Sequence, residues 1–369
     1  MKQRLRIGVL FGGRSGEHEV SIQSAKSLMQ ALDPSRYEIL PIGISKTGEW
    51  VFGLQAFAAL QTSVPDYLAN SYQASNWGDC AMSLAQLQSL VDVVFPVLHG
   101  SFGEDGTIQG MLEMLNIPYV GAGVLASAVG MDKLFMKRIF GVAGLPQCAY
   151  CSVMRQEFES DENAVISSIE REIGFPCFVK PANLGSSVGI SKAKNREQLK
   201  QALETAAQYD RKLIVEEGLN VREVEVAVLG NDSPLASVPG EIVPSSEFYD
   251  YEAKYMSGSS ELMIPANLPE DQSKQLQMLA IQAFQAIDGS GLARVDFFIE
   301  KETNRILINE INTMPGFTIY SMYPKLWEAT GVPYIELVGR LISLALERFA
   351  DKQRNVTEFQ VSKGDSVNV

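Results

Sequence analysis

The chain has 369 residues, more than one hydrophobic core usually organises, so two or three domains are expected. Apolar residues make up 46% and charged residues 20%, an ordinary composition for a folded globular chain and not that of a disordered one. The net charge of −13 and pI near 4.8 argue against nucleic acid or an anionic membrane as a partner, because both are held by clustered Lys and Arg. Any anionic ligand therefore needs cations gathered locally.

At the N-terminus a short apolar run after Lys2 is ended by Arg14 and Glu17 without a cleavage signal. No stretch reaches the roughly 18 uncharged apolar residues of a membrane span, and the chain is read as cytoplasmic. Cys148 and Cys151 form a C-x-x-C, but they fall on an expected strand, where residues three apart point to opposite faces. With two His in the chain and no second C-x-x-C, zinc and disulfide chemistry are the weaker reading.

Residues 6–12 read as a buried strand running into Gly12-Gly13, and residues 20–32 as an amphipathic helix, the start of a β-α-β unit. Strands expected at 37–45 and 91–98 extend this to a mostly parallel sheet. The stretch 55–86 is polar and reads as an irregular peripheral insertion. A helix ending at Gly144-Leu145-Pro146 precedes a second unit: strand 148–154, helix 163–173, strand 177–180, a glycine-serine loop at 185–189, helix 195–208 and strand 212–217. Asn195 suits that helix's N-cap, with Gln198 three residues on. A third unit has a strand at 223–229, a long polar loop at 244–260, a helix at 269–287, strands at 293–300 and 305–312, and a last helix at 333–349. The expected domains are 1–138, 139–218 and 219–350, followed by a polar tail at 351–369.

Chemistry concentrates in the last two strands. Alternation places Arg294, Asp296, Phe298 and Glu300 on one face of the first, and Ile306, Ile308, Glu310 and Asn312 on one face of the second. Pairing Asp296 with Glu310 sets Arg294 opposite Asn312 and requires a five-residue or bulged connection over 301–305. Two carboxylates and an amide are hard oxygen ligands suited to Mg²⁺, and the strands are apolar around them, so an unpaired charge there would be costly.

No Gly-Lys dipeptide occurs, so a Walker A loop is absent. Gly121-Ala122-Gly123-Val124-Leu125-Ala126 matches G-x-G-x-x-A, a weak dinucleotide signal. Gly185-Ser186-Ser187-Val188-Gly189, after Val179-Lys180-Pro181, offers backbone N–H groups, hydroxyls and a lysine to phosphate.

This ordered set resembles the ATP-grasp family, and within it the D-alanine–D-alanine ligases, from about residue 5 to residue 349. The motifs that carry the resemblance begin with Gly12-Gly13-Arg14-Ser15-Gly16-Glu17-His18-Glu19-Val20-Ser21 and His99-Gly100-Ser101-Phe102-Gly103-Glu104-Asp105-Gly106. Met131-Asp132-Lys133, the two segments at 179–181 and 185–189, Tyr249-Asp250-Tyr251-Glu252-Ala253-Lys254-Tyr255 and Asn309-Glu310-Ile311-Asn312-Thr313-Met314-Pro315-Gly316 complete them.

The resemblance implies an α/β fold, α+β in part: an N-terminal doubly wound α/β domain and two α+β domains that clasp ATP. It implies ATP-dependent ligation of two D-alanines through a D-alanyl phosphate, with Mg²⁺ (two ions, Mn²⁺ as a substitute), for peptidoglycan precursor synthesis, in a homodimer. Lys133, Lys180 and Lys254 would hold phosphates; Glu216, Glu217, Leu219, Glu223 and Asn309 would border the nucleotide; Asp296, Glu310 and Asn312 would hold metal. Glu17 would bind the first ammonium, with His99 near its carboxylate, and Glu17, Ser186 and Tyr255 would join loop, lid and N-terminal domain. Arg294 and the Gly316 N–H would stabilise the oxyanion, and Ser321 with Met322 would receive the second carboxylate. The loop at 244–260 would be a lid.

Three alternatives stand beside it. One is a ligase making D-alanyl-D-lactate or D-alanyl-D-serine, against which Tyr255 speaks. The others are a nicotinamide-dependent oxidoreductase using residues 121–126, and a non-catalytic amino-acid sensor.

Overall fold

The computed structural model describes residues 4–72, 84–185, 188–243 and 261–356. Ser186, Lys254, Tyr255, the expected lid and most of the polar tail lie outside the described residues.

The first unit runs β1 (Leu5–Gly12), α1 (His18–Ala31), β2 (Tyr37–Ile44), β3 (Trp50–Phe52), α2 (Gln55–Ala59), α3 (Asp66–Tyr72), α4 (Leu87–Leu90) and β4 (Val93–Pro96). Its sheet has the order β3-β2-β1-β4, with β1 parallel to β2 and β4 and only the short β3 antiparallel. The β1 strand ends at Gly12 (φ 92°), where a Cβ would lie 2.3 Å from the Ile44 carbonyl, so only glycine lets the chain turn there. The segment 55–86 is not wholly irregular as expected: α2 and α3 place Phe57 and Leu68 in the core, at 0% and 1% exposure.

Next come α5 (Thr107–Met114), α6 (Val124–Met131) and α7 (Lys133–Val142). The single helix expected before Gly144 is broken at Asp132, whose carboxylate accepts the N–H groups of Leu134 and Phe135 and caps α7. Both α6 and α7 pack on the C-terminal sheet through Ala126, Met136 and Phe140.

A central unit follows: β5 (Tyr150–Met154), α8 (Arg155–Ser160), α9 (Glu162–Glu172), β6 (Cys177–Pro181), β7 (Ser191–Ala193), α10 (Arg196–Ala206) and β8 (Lys212–Glu217). Its antiparallel sheet, in the order β5-β8-β6-β7, carries α9 and α10 over a core of its own that includes Ile169, Val179, Leu203 and Val215. Asn195 caps α10 as expected, accepting the Gln198 N–H at 3.0 Å. Cys148 lies ahead of β5 and, like Cys151 and Cys177, is a free thiol.

The last unit comprises β9 (Val221–Gly230), β10 (Leu235–Ala236), β11 (Gly240–Val243), β12 (Glu261–Met263), α11 (Glu270–Ala286), β13 (Gly291–Glu300), β14 (Ile306–Asn312), α12 (Met322–Ala329) and α13 (Tyr334–Lys352). The sheet order is β12-β11-β9-β13-β14, with β10 on β9. One sheet face packs against α6, α7 and α11. On the other side α12 and α13 share a core with the first unit, where Phe317 stacks near Phe95, Tyr323 and Tyr334 at ring distances of 5.5, 6.1 and 5.5 Å.

Arg294 pairs with Asn312 and Asp296 with Glu310, the register the alternation requires. The pairing then slips: Phe297 pairs with Ile308, leaving Asn309 as the extra residue of a β-bulge, beyond which residues 301–305 close the hairpin. The bulge corrects the expected face of β14. Ile306 and Ile308 join the core with Ile311, opposite in orientation to Glu310 and Asn312, because one inserted residue reverses a period-two alternation.

Candidate functional site

A cleft of about 760 Å³ opens between the central and C-terminal sheets. Lys133, Lys180, Glu216, Glu217, Leu219, Glu223, Asn309, Glu310 and Asn312 all line it, so nine of the expected site residues meet in one space. Phe178, Ile242 and Phe298 give it apolar walls, the combination of flat apolar surface and a few convergent charges that a nucleotide-sized ligand needs.

The cations demanded by an acidic protein are placed here by α7 and β6. Lys133, in the first turn of α7, donates to the Leu184 carbonyl at 2.8 Å and stands 3.3 Å from Glu310. Lys180 on β6 meets Glu216 on β8 at 2.6 Å, and the second oxygen of Glu216 lies 3.1 Å from Lys137. Glu216 is 2% exposed and Lys137 1%. Burial pushes the Glu216 carboxyl up, but Lys137 and Lys180 outweigh it and bring its pKa down to about 2. The same pairing keeps Lys180 charged, its pKa raised by Glu216 against the effect of burial. Glu217 turns its side chain away, accepting the Ala149 N–H at 2.7 Å, so what it presents to the cleft is largely backbone.

Arg294 and Asp296 on β13 do not line this cleft: Arg294 grips Asp296 through Nε and a terminal nitrogen, both at 2.6 Å, and its Nε lies 2.9 Å from Glu225. Burial disfavours the guanidinium charge, yet Asp296 and Glu225 raise its pKa well above the ordinary value. Asn312 donates to Asp296 at 3.1 Å. Glu223, Glu225, Asp296, Asn309 and Glu310 line an adjoining pocket of about 40 Å³, room for a small ion. Among the described residues no three His, Cys, Asp or Glu side chains converge as a preformed cage. The polar side chains lining that pocket are hard oxygen donors, the ligand type Mg²⁺ takes beside waters and phosphate oxygens.

The other described candidates, Glu17, His99, Gly316, Ser321 and Met322, lie in the first unit and in the segment running from β14 into α12. Glu17, just ahead of α1, inserts its carboxylate between two glycines: a Cβ on Gly100 or on Gly185 would lie 2.7 or 2.9 Å from its Oε2. His99 is buried three residues past β4, with Nδ1 3.0 Å from the Met314 carbonyl and Nε2 3.2 Å from the Ser24 hydroxyl. Burial lowers its pKa, with Glu17 opposing, so the ring is neutral at physiological pH. Gly316 lies against Ser321, a Cβ there meeting the Ser321 hydroxyl at 3.2 Å. The Ser321 hydroxyl accepts the Thr318 N–H at 3.0 Å and does not cap α12. The Met322 side chain is core, so its backbone N–H at the helix start is what it can offer a ligand. His99, Gly316, Ser321 and Met322 do not line the cleft itself.

Three residues of the site were not singled out from sequence. Lys137 lies one helical turn beyond Lys133, a spacing that puts both on one side of α7. Glu225 follows Glu223 by two along β9, and the two line the same pocket. Glu104 sits inside the motif at 99–106. Its Oε1 accepts the Gly100 N–H at 2.8 Å, and burial together with the Glu17 charge pushes its pKa up to about 8. The dinucleotide-like Gly121 does not line the cleft. It is packed against Gly291, where a Cβ would approach the Gly121 backbone to 3.1 Å, so close packing explains the motif and the oxidoreductase reading loses its support.

Two family descriptions match the chain: D-ala D-ala ligase N-terminus over residues 6–122 and D-ala D-ala ligase C-terminus over residues 139–343. A D-alanine–D-alanine ligase from Heliobacterium modesticaldum is 54% identical, over 97% of this chain and 98% of that protein. The solved D-alanine–D-alanine ligase from Coxiella burnetii superposes with a TM-score of 0.79 at 39% identity, covering 95% of this chain and 97% of the other. The VanG D-Ala:D-Ser ligase from Enterococcus faecalis does so with 0.78 at 36%, covering 93% and 100%. The clasp of two sheets around a cleft is thus the ATP-grasp architecture, and the chain belongs to the D-alanine–D-alanine ligase family.

Proposed function

We propose that the chain joins two D-alanine molecules to D-alanyl-D-alanine at the expense of ATP, supplying a precursor of peptidoglycan. The observation that carries this is the meeting in one cleft of Lys133 and Lys180 with the oxygen donors Glu310 and Asn312. Nucleotide lies with its base against Phe178, Leu219 and Ile242, its ribose toward Glu223 and its phosphates toward Lys133 and Lys180, which draw the negative charge to one end.

A carboxylate oxygen of the first D-alanine attacks the γ-phosphorus, ADP leaves, and the amine of the second D-alanine, once deprotonated, attacks the acyl carbon and expels phosphate. Glu17 holds the first ammonium, a carboxylate being its natural partner. The Gly316 N–H and Arg294 face the oxygen that becomes negative, and the start of α12 at Ser321 and Met322 receives the second carboxylate. Asp296, Glu310 and Asn312 hold the divalent metal, taken to be two Mg²⁺ ions replaceable by Mn²⁺. Metal bound there neutralises phosphate charge. Ser186, Lys254 and Tyr255 are assigned to closing the site over the intermediate, Tyr255 selecting amine over hydroxyl acceptors.

The proposed working form is a cytoplasmic homodimer with domains 1–138, 139–218 and 219–350. No single described helix is long and apolar enough to cross a membrane. Phosphate release from ATP, measured with and without Mg²⁺ across D-alanine, L-alanine, D-lactate and D-serine, tests the reading. Release driven by D-alanine alone supports it, and preference for the L isomer or for D-serine overturns it.

A further inference from the structure

The loop between β14 and α12 carries the Gly316 N–H, and its surroundings are held from the first unit. Ser24 and Ser27 lie one turn apart on α1 and reach the same loop: the Phe317 N–H donates to Ser24 at 3.4 Å and the Ile319 N–H to Ser27 at 3.2 Å. The Phe317 carbonyl accepts from the Tyr334 hydroxyl at 2.7 Å. Ser24 is completely buried, and its hydroxyl also stands 3.2 Å from Nε2 of His99.

These contacts have a direction. Nδ1 of His99 faces a carbonyl, that of Met314, at 3.0 Å, and a carbonyl only accepts, so Nδ1 carries the proton. In the neutral ring Nε2 is then an acceptor, which makes Ser24 its donor. The relay runs from Phe317 N–H to the Ser24 oxygen, from the Ser24 O–H to Nε2, and from Nδ1–H to the Met314 carbonyl. A peptide unit is planar, so His99 fixes the plane joining Met314 to Pro315, and Ser24 fixes the plane joining Gly316 to Phe317. Between them lies one plane, Pro315 to Gly316, and it bears the Gly316 N–H. Pro315 has a locked φ and no N–H, which leaves that plane little freedom.

We propose that Ser24 is a positioning residue which, through His99 and Phe317, aims the Gly316 N–H at the oxygen that becomes negative during ligation. This rests on the ligase reading above, but its first test does not. The chain has two His, so ¹⁵N-histidine labelling of the full-length protein resolves both rings, and His18→Gln assigns them. His99 is expected as the Nδ1–H tautomer with a hydrogen-bonded Nε2, and the Nε2 resonance is expected to move in Ser24→Ala. An Nε2–H tautomer, or a resonance indifferent to Ser24→Ala, overturns the relay whether or not the chain is a ligase.

The second test is steady-state kinetics on Ser24→Ala and the isosteric Ser24→Cys, both checked for an unchanged melting temperature. Losing an oxyanion donor outright costs about 10²–10³ in kcat, and misaiming one is expected to cost about tenfold or more, with KM for ATP unchanged and Cys between Ser and Ala. Equal kcat in all three forms, or a loss confined to KM for ATP, overturns it. A wild-type chain without D-alanine-dependent phosphate release would instead refute the ligase reading and leave the tautomer result standing.

Discussion

Glu216 and Lys180 form an ion pair 2.6 Å long between neighbouring strands, and it survives burial because a second ammonium, that of Lys137, holds the other carboxylate oxygen. Removing the shared anion leaves two buried cations, so Glu216→Gln is expected to destabilise the protein by about 3–5 kcal/mol. Urea unfolding at neutral pH checks this. Because the folded pKa, about 2, lies below the roughly 4.3 of an unfolded glutamate, the stabilisation is complete above that value. It is lost as pH falls toward 2, and the gap between wild type and variant is expected to narrow there.

Glu104 titrates the other way. Its pKa, pushed up to about 8 by burial and by Glu17, exceeds the unfolded value of about 4.3, so the folded state favours the protonated form. Its contribution to stability is complete below about 4.3 and drains away as pH rises through 8. Glu104→Gln, which keeps the neutral shape, is expected to raise the urea midpoint relative to wild type at pH 8 and to leave it unchanged at pH 4. A midpoint difference independent of pH would contradict the shift.

Asp296 is both the partner of Arg294 and the residue paired with Glu310 across the hairpin. Asp296→Asn is expected to lower kcat by about 10²–10³ while raising the Mg²⁺ concentration needed for half-maximal phosphate release. A metal titration of both forms reads the two effects separately. Unchanged metal dependence with reduced kcat would assign Asp296 to Arg294 alone.

Arg348 on α13 ties the last helix to the first unit: its terminal nitrogens meet the Gly121 carbonyl, the Ser290 hydroxyl at 2.7 Å and the Tyr119 carbonyl at 3.1 Å, and its guanidinium stacks 4.4 Å from the Tyr119 ring. Arg348→Ala is expected to cost about 2–4 kcal/mol, since hydrogen bonds to charged groups contribute about 1.5–3 kcal/mol each and leave buried acceptors unmet when removed. Thermal unfolding of the variant reads the loss.

Much of this site is visible in the sequence, and where it is not the reasons are local. The hairpin register follows from alternation, which is strict where one face is apolar, and β13 obeys it along its length. Asn309 breaks the same rule on β14, and nothing in the string Leu307-Ile308-Asn309-Glu310 distinguishes a bulge from a regular strand. The helices at 55–59 and 66–72 are too short for a 3.6-residue period to declare itself, so Phe57 and Leu68 look like stray apolar residues in a polar insertion. Lys137 carries no signal in the sequence because a helix lysine reads as solvated, and the fold sets a carboxylate from β8 beside it. His99 stands out as a candidate through its motif, whereas its partners Ser24 and Met314 stand 75 and 215 positions away, and no short-range pattern reports such contacts.

The apolar clusters are divided differently from the domains expected from the sequence. Residues of β1 and β4 share one continuous core with α12 and α13, more than 200 positions away, while the central sheet and its three helices keep theirs to themselves. Elements that share a core melt together, and an element with a private core is free to melt alone. Calorimetry is therefore expected to resolve two cooperative transitions instead of three. The smaller belongs to residues 150–217, and because Lys180 and Glu216 lie in that block, nucleotide is expected to raise its melting temperature selectively.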